Sequence, residues 1–388
     1  VLVKAGTYVE QVVVNAVDLT IQGAGRTQTF VRSPATLTQF FTTSANNYPV
    51  VMVTNASDVR VRDLTVDGNG AGNANYRLQG IGYWNAGGRV LDCDVVRVRD
   101  NPFSGNQAGV GIFGGCSAGT FSLEVGGTNV SDYQKTGIVI TNAGYSCNIH
   151  DCTVSGQGPT ALNAQNGIQI SFGASGAVSN CAVAGTYYTG PTYTATGQLF
   201  YQAGTVNVTG GTVTACQTGT YYIDANGTMT GTNTSTPAAG GIGAWGVAGY
   251  NSTATPGPGK ADARTRPTAQ PFPAEGDGGM RAASTITVTL AGGCITGPGV
   301  AGTEGVEMWS SGGPLNATLS NLEISGWEWG IYVGGAGGVN MNAYTTPSRA
   351  TSRPATRAPR GTRTSPRTTG GAAHSGRAWA APIPSSAR

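Results

Sequence analysis

The sequence predicts an all-β fold, a right-handed parallel β-helix with three short strands per turn of about 22–30 residues and a disordered low-complexity C-terminal tail. Two recurrent patterns lead to that fold class. A corner motif, apolar-x-turn-apolar-x-apolar, recurs with Asp18, Asp63, Asp92, Gly127, Asp151, Asn180, Gly210 and Asn321 at its third position. These are residue types that tolerate a left-handed backbone, so each copy reads as two short strands meeting at a tight corner. A glycine-led apolar strand recurs at Gly80, Gly109, Gly137, Gly167, Gly197, Gly219, Gly241, Gly305 and Gly330; up to Gly241 the spacings are 29, 28, 30, 30, 22 and 22 residues. Units this small cannot bury their own apolar face, so they must stack.

In chain order, residues 1–25 form an opening turn and 26–57 a polar, Thr- and Asn-rich excursion. Regular turns run from Ser57 to about Asn233 within a body spanning 1–252. A loop at 184–196 carries Tyr187, Tyr188 and Tyr193. Residues 253–283 break the pattern with Pro, Gly, Ala and Arg and are expected to form no regular structure, whereas 284–343 resume it with two further turns. The tail, 344–388, holds eight Arg and no acid among Thr, Ser, Pro, Ala and Gly. It has too few apolar residues to offset its conformational entropy, and its composition resembles a GC-rich gene read out of frame.

Composition fits many tight corners between short strands, with 62 Gly and only 11% charged side chains. The formal net charge of +3 conceals a split, because residues 1–343 carry 14 basic and 19 acidic side chains. No basic stripe with interleaved aromatics marks the body, which argues against nucleic acid. No run of eighteen apolar residues exists, so no membrane span is expected. The chain shows neither an initiator Met nor a leader. Of the seven cysteines, Cys93, Cys152 and Cys181 share the repeat position of Leu64 and Leu322 and are expected to fill an inward apolar stack. Cys152 and Cys181 lie one turn apart, a spacing that permits a disulfide.

The corner motif, the glycine-led strands and the opening stretch V-K-A-G-T-Y-V-E-Q-V-V-V-N-A-V-D-L-T-I-Q-G-A-G at residues 3–25 resemble the pectin lyase-like superfamily, the opening turn being similar to pectinesterase-like domains. The resemblance covers roughly residues 1–250 and 284–343. It implies a secreted or cell-surface protein, a polysaccharide partner, acidic sugars included, and a ligand groove along the outside of the glycine-led strand. Residues 107–110, Q-A-G-V, are loosely similar to one pectinesterase motif without the paired catalytic aspartates, so pectinesterase activity is not expected.

Strand alternation then sorts candidate residues. Ile138 points in and Val139 out, so Ile138→Asp should unfold the protein and Val139→Asp should be tolerated. Four residues after each glycine lies an outward column of Trp84, Phe113, Thr141, Ser171, Tyr201, Trp245 and Trp309, whose aromatic members offer flat faces to sugar rings. Gln169, outward on its strand, and Tyr187, Tyr188 and Tyr193 complete the predicted substrate-binding set. Gln79, Gln107, Gln134, Gln165 and Gln217, just before the glycines, suggest an amide ladder along the axis. Corner aspartates have a sufficient structural task in bonding their own backbone. The remaining acids, Asp67, Asp100 and Asp132, lie beside Arg97, Arg99 and Lys135, with Glu307 outward on a later strand. Such a set could bind Ca²⁺ through Asp67, Asp100 and Asp132 and supply a base, as a uronate lyase requires, or serve glycoside hydrolysis. His150 has no companion histidine in the body and reads as a surface residue. The functional expectation is a polysaccharide-binding protein acting as a lyase or glycoside hydrolase; the alternative is a non-catalytic, adhesin-like surface repeat protein.

Overall fold

In a computed structural model, residues 1–191, 193–236, 244–251, 285–300, 303–311, 313–335 and 337–344 are described. They form a right-handed parallel β-helix of three long sheets. Sheet A, eleven strands, runs from Thr20–Gln22 and Val59–Arg62 to Val339–Tyr344; sheet B, also eleven, runs from Gly6–Val9 to Glu323–Ser325. Sheet C carries the glycine-led strands, from Val12–Asn15 to Trp329–Gly334, plus the short Phe41–Thr42, which pairs antiparallel with Asn46–Thr54. Each turn passes from C to A to B.

The corner motif is the A-to-B junction. Asp63, Asp92, Gly127, Asp151, Asn180, Gly210, Gly231, Gly292 and Asn321 all have φ between 52° and 66°. Asp18 does not belong to this column. Its carboxylate accepts hydrogen bonds from the Ser57 and Asp58 N–H groups, at 2.8 Å each, and ties the opening turn to the next. A second left-handed column, unread in the sequence, sits where sheet C ends: Ala16, Asn55, Asn85, Asn142, Phe172, Gln202 and Asp224, with φ from 49° to 78°. After the first corner, Cys93, Cys152 and Cys181 fill the inward stack at 0%, 1% and 2% exposure. Each thiol donates to the carbonyl two residues earlier, Leu91, His150 and Ser179 respectively, and all seven cysteines are free. Burial pushes the Cys93 thiol up to about 12, which leaves it unreactive as a nucleophile.

Glycine recurs in sheet C because the chain there passes too close to the next turn and to sheet B for a side chain. A Cβ at Gly137 would lie 2.4 Å from Val154 Cγ1 and 2.7 Å from the Gly167 carbonyl, and its neighbours on adjacent turns meet the same obstruction. The register corrects two members of the predicted column. Ile81 pairs with Ile112, and Val247 with Val306, so the equivalent glycines are Gly111 and Gly246 rather than Gly109 and Gly241, the latter lying outside the described residues.

The excursion at 26–57 is a complete irregular turn holding Thr29–Arg32 and Asn46–Thr54. The predicted loop at 184–196 is partly strand, since Ala182–Tyr188 continues across a bulge to pair with Thr153–Thr160. Asn226–Thr230 pairs directly with Ile286–Ala291, so the turns flanking the insertion stack on one another. The expectations for 253–283, and for the tail after Tyr344, concern residues outside those described. Among the described residues no helix is long and apolar enough to cross a membrane.

Sheet C is buried on both faces over much of its length. Val139, expected to face solvent, is 0% exposed and packs with Phe41, Met52, Val110 and Phe113 in an apolar cluster separate from the main core. Val139→Asp should therefore destabilise as severely as Ile138→Asp, contrary to simple alternation. Gly137→Ala should cost about 1–3 kcal/mol through overpacking. Gly330→Ala, whose Cβ meets only Ile324 Cγ2 at 3.9 Å, should be nearly neutral. Urea denaturation midpoints of the four variants would check this order, and equal effects at Gly137 and Gly330 would contradict the close-approach argument.

Candidate functional site

The predicted acidic and basic residues do not converge. Asp67, 2% exposed, is clamped by Arg97 on the next turn and by Arg32 on the preceding one, the latter at 2.9 Å, and accepts the Asn69 N–H. Burial raises its pKa, but hydrogen bonds from Arg97, Asn69 and Arg32 outweigh this and hold the carboxyl below its usual range. Asp132 pairs with Arg99 instead. Asp100 accepts from Ser104 Oγ and Asn106 Nδ2 and fastens its own loop. The expected Ca²⁺ arrangement is thus corrected: among the described residues no group of three or more His, Cys, Asp or Glu side chains could hold a metal. Arginines and aspartates about 30 residues apart become neighbours on stacked strands, and the same spacing that made them look clustered makes them neutralise one another.

Lys135 is wholly buried, and its Nζ donates to the Ala164 carbonyl. Among the described residues no carboxylate pairs with it, and burial lowers its pKa from 10.5 to about 7. An amine enclosed in this way reaches no polymer on the surface. Glu307 lies on the outer face of sheet C in register with Ala248 and Tyr332, 5% exposed and many turns along the helix from Asp67, Asp100 and Asp132.

The aromatic column is also rearranged. Trp84 is in register with Gly115, Tyr250 with Trp309, and Tyr201 with Ser171, whereas Phe113 aligns with Gly82 and Val139, and Trp245 with Thr218. Phe41 stacks on Trp84 at 4.7 Å, and Trp309 lies parallel to Tyr332 at 6.1 Å. Phe113, Trp245, Tyr201 and Tyr187 are 0–5% exposed, and Gln169 is 0% exposed. Tyr188 and Tyr193 are half-buried. The rings predicted to carry sugar mostly pack against other rings. Nor do the glutamines form a ladder: Gln79 donates to Asn47, Gln134 to the Ser104 carbonyl, and Gln165 to the Tyr133 carbonyl at 2.6 Å.

The outer face of sheet A carries what the sequence reading missed. A depression of about 450 Å³ there is bordered by Asp58, Gly88, Arg89, Ser122, Glu124, Ser146 and Asn148. A Cβ at Gly88 would strike the Val59 carbonyl at 2.0 Å, so the strand admits only glycine at this position. A chain of alternating charge crosses it: Arg60 to Asp58 at 2.6 Å, Arg89 to Glu124 at 3.4 Å, Glu124 to His150 at 3.2 Å and His150 to Asp151 at 2.8 Å. Hydrogen bonds that His150 donates to the Asp151 and Glu124 carboxylates raise its pKa against a smaller opposing effect of burial. Hydroxyls and amides at an open depression, with carboxylates and a guanidinium between them, can accept from and donate to a polyhydroxylated ligand. The signal was present in the sequence as the outward Ser and Asn positions of the strands that lead into the corner motif, but the bridging of Asp58 and Glu124 by Arg89 exists only once turns are stacked.

No family model matches the chain, and no curated protein matches it. Among solved structures it is similar to the A-module of mannuronan C-5 epimerase AlgE4 from Azotobacter vinelandii, at TM-score 0.39 and 12% identity over 89% of this chain and 90% of that one. It is also similar to the AlgE6 A-module of the same organism, at 0.36 and 14% over 90% and 91%. A mannuronic acid specific polysaccharide family 6 lyase from human gut microbiota gives 0.35 and 10% over 89% and 85%.

The Lys135 environment sets a pH dependence of stability. The folded pKa of about 7 lies below the 10.5 of the exposed side chain, so across that window the unfolded chain binds the extra proton. Stability should rise with pH through this window, by up to about 1.4 kcal/mol per unit, and be lost as pH falls toward 7. Lys135→Met should raise the melting temperature at neutral pH and flatten the profile. Identical pH profiles for the two proteins would show that the amine is not enclosed.

Proposed function

We propose that the protein binds polysaccharide along the outer face of sheet A, anchored at the Asp58–Arg89–Glu124 depression. The observation that carries this reading is the outward register of sheet A, which repeats similar polar side chains on strand after strand at the ~4.8 Å spacing of the ladder. A rod that offers the same groups at regular intervals suits a ligand that is itself linear and periodic. Ser122, Ser146, Ser175 and Thr205 form one such column. Binding without bond cleavage is the form of the proposal that the carboxylates favour: Asp67 and Asp132 are each held by arginine and Asp100 by its loop, and the two acids that border the depression, Asp58 and Glu124, are paired with Arg60 and with Arg89 and His150. A ligand of this kind would place the working protein outside the cell or on its surface.

Ser146→Trp, which fills the depression, and Arg89→Ala should each weaken polysaccharide affinity at least tenfold with little change in melting temperature. Asp67→Asn should do the opposite, lowering stability while leaving affinity near that of the wild type. Retardation in polysaccharide-containing native gels, with assays for unsaturated products and reducing ends, would separate these outcomes. Wild-type retention by both depression variants would remove sheet A as the binding face, and accumulating products would overturn binding without cleavage.

A further inference from the structure

Resting on the polysaccharide reading, we infer that the ligand is a neutral, unbranched polysaccharide that runs parallel to the helix axis from the depression toward the last turn. The first support is the distribution of charge on sheet A. Charged side chains occupy its outer face only on the strands up to Tyr145–His150. From Ser175–Ser179 onward, through Thr205–Thr209, Asn226–Thr230, Ile286–Ala291, Leu315–Ser320 and Val339–Tyr344, every outward side chain is Thr, Ser, Asn or Ala, except Tyr344 at the far end. An anionic polymer laid along this face would find Arg60, Arg62 and Arg89 already paired with Asp58, Asp63 and Glu124, and among the described residues no cation on the strands beyond them, so its charge would go uncompensated. A neutral chain meets no such penalty.

The second support is that the polar groups are held in fixed positions. Thr228 Oγ1 donates to Asn207 Oδ1 at 3.0 Å, and Asn340 Nδ2 to Asn316 Oδ1 at 3.1 Å, while Asn226 Oδ1 accepts the Thr287 N–H at 2.8 Å. Side chains linked along the axis lose little further freedom on binding, which favours an extended, weakly contacting ligand. The face is nevertheless open, with Thr205, Asn207, Thr209 and Thr230 exposed. Nine strands separate the depression from the last turn inclusively, a track of roughly 40 Å at ~4.8 Å per strand. Tyr344, 62% exposed, presents a flat apolar surface at its end.

The full chain would be titrated calorimetrically with a neutral unbranched β-glucan or mannan and with a polyuronate, each at low and high NaCl. The neutral polymer should bind with affinity that rises with chain length and changes less than twofold with salt, and Thr228→Asp or Thr318→Trp should reduce it at least fivefold with an unchanged melting temperature. Tighter, salt-suppressed binding of the polyuronate would overturn the neutral assignment while leaving the polysaccharide reading intact. Binding of neither polymer would remove both. Full affinity in both variants, confirmed folded by circular dichroism, would show that the ligand does not follow the track.

Discussion

The structure depends on the closeness of sheets B and C. Where each glycine-led strand begins, its Cα sits against the inward Val, Thr or Ile of sheet B on the same turn and under the carbonyl of the next glycine, for example Gly167 against Val183 and the Gly197 carbonyl. A side chain on any of these glycines but Gly330, whose Cβ would meet only Ile324 Cγ2 at 3.9 Å, would push one turn against its neighbour and disturb the hydrogen-bonded ladder on which every turn relies. The inward apolar stack then follows, because strands held at that separation leave room for Val, Ile, Leu and Cys and little else. Larger rings also enter, Phe200 and Tyr133 among them, and in two cases the polar end finds a backbone partner, Tyr83 at the Val59 carbonyl and Tyr145 at the Ala86 carbonyl, both at under 3 Å.

With the interior committed to packing, differences between turns are confined to the outer faces, and the three faces have diverged. Sheet C is buried outside as well as inside over much of its length and carries two apolar clusters beyond the main core, one around Phe113 and Val139 and one around Leu199 and Tyr221. Sheet B uses its narrow outer face for ion pairs that join successive turns, such as Arg32 and Arg97 on Asp67. Sheet A alone presents a wide face of exposed and half-exposed polar groups in register, with three outward positions on most strands.

Much of this was legible in the residues. Asp63, Asp92, Asp151, Asn180 and Asn321 announce a corner because few residue types accept φ near 55°, and the prediction fails only at Asp18, where the motif is imitated by a different turn. The second corner was only half-marked: Asn55, Asn85, Asn142 and Asp224 carry the same signature, but Ala16, Phe172 and Gln202 adopt the same conformation without it. Register was ambiguous where two glycines alternate, since Gly109 and Gly111 both fit the pattern and only the pairing with Gln79 and Ile81 separates them. That two-residue slip displaced Phe113 from its true column. Outward positions were read as exposed positions, and for sheet C they are not.

The misreading of the charged residues has a different origin. In a solenoid whose turns are close to 30 residues long, any acid and base separated by about one period become cross-strand neighbours at ladder distance, so a sequence cluster of Asp67, Arg97, Arg99 and Asp132 folds into two closed ion pairs. A catalytic carboxylate must remain unsatisfied toward the substrate, and proximity in a repeat works against that because each turn supplies its neighbour's counter-charge. Binding has no such requirement. Arg89 shares itself between Asp58 at 3.9 Å and Glu124 at 3.4 Å, contacts long enough for a hydroxyl to replace either without leaving a buried charge unpaired. The same periodicity that closes the sheet B pairs therefore leaves sheet A able to exchange its own polar contacts for those of a ligand.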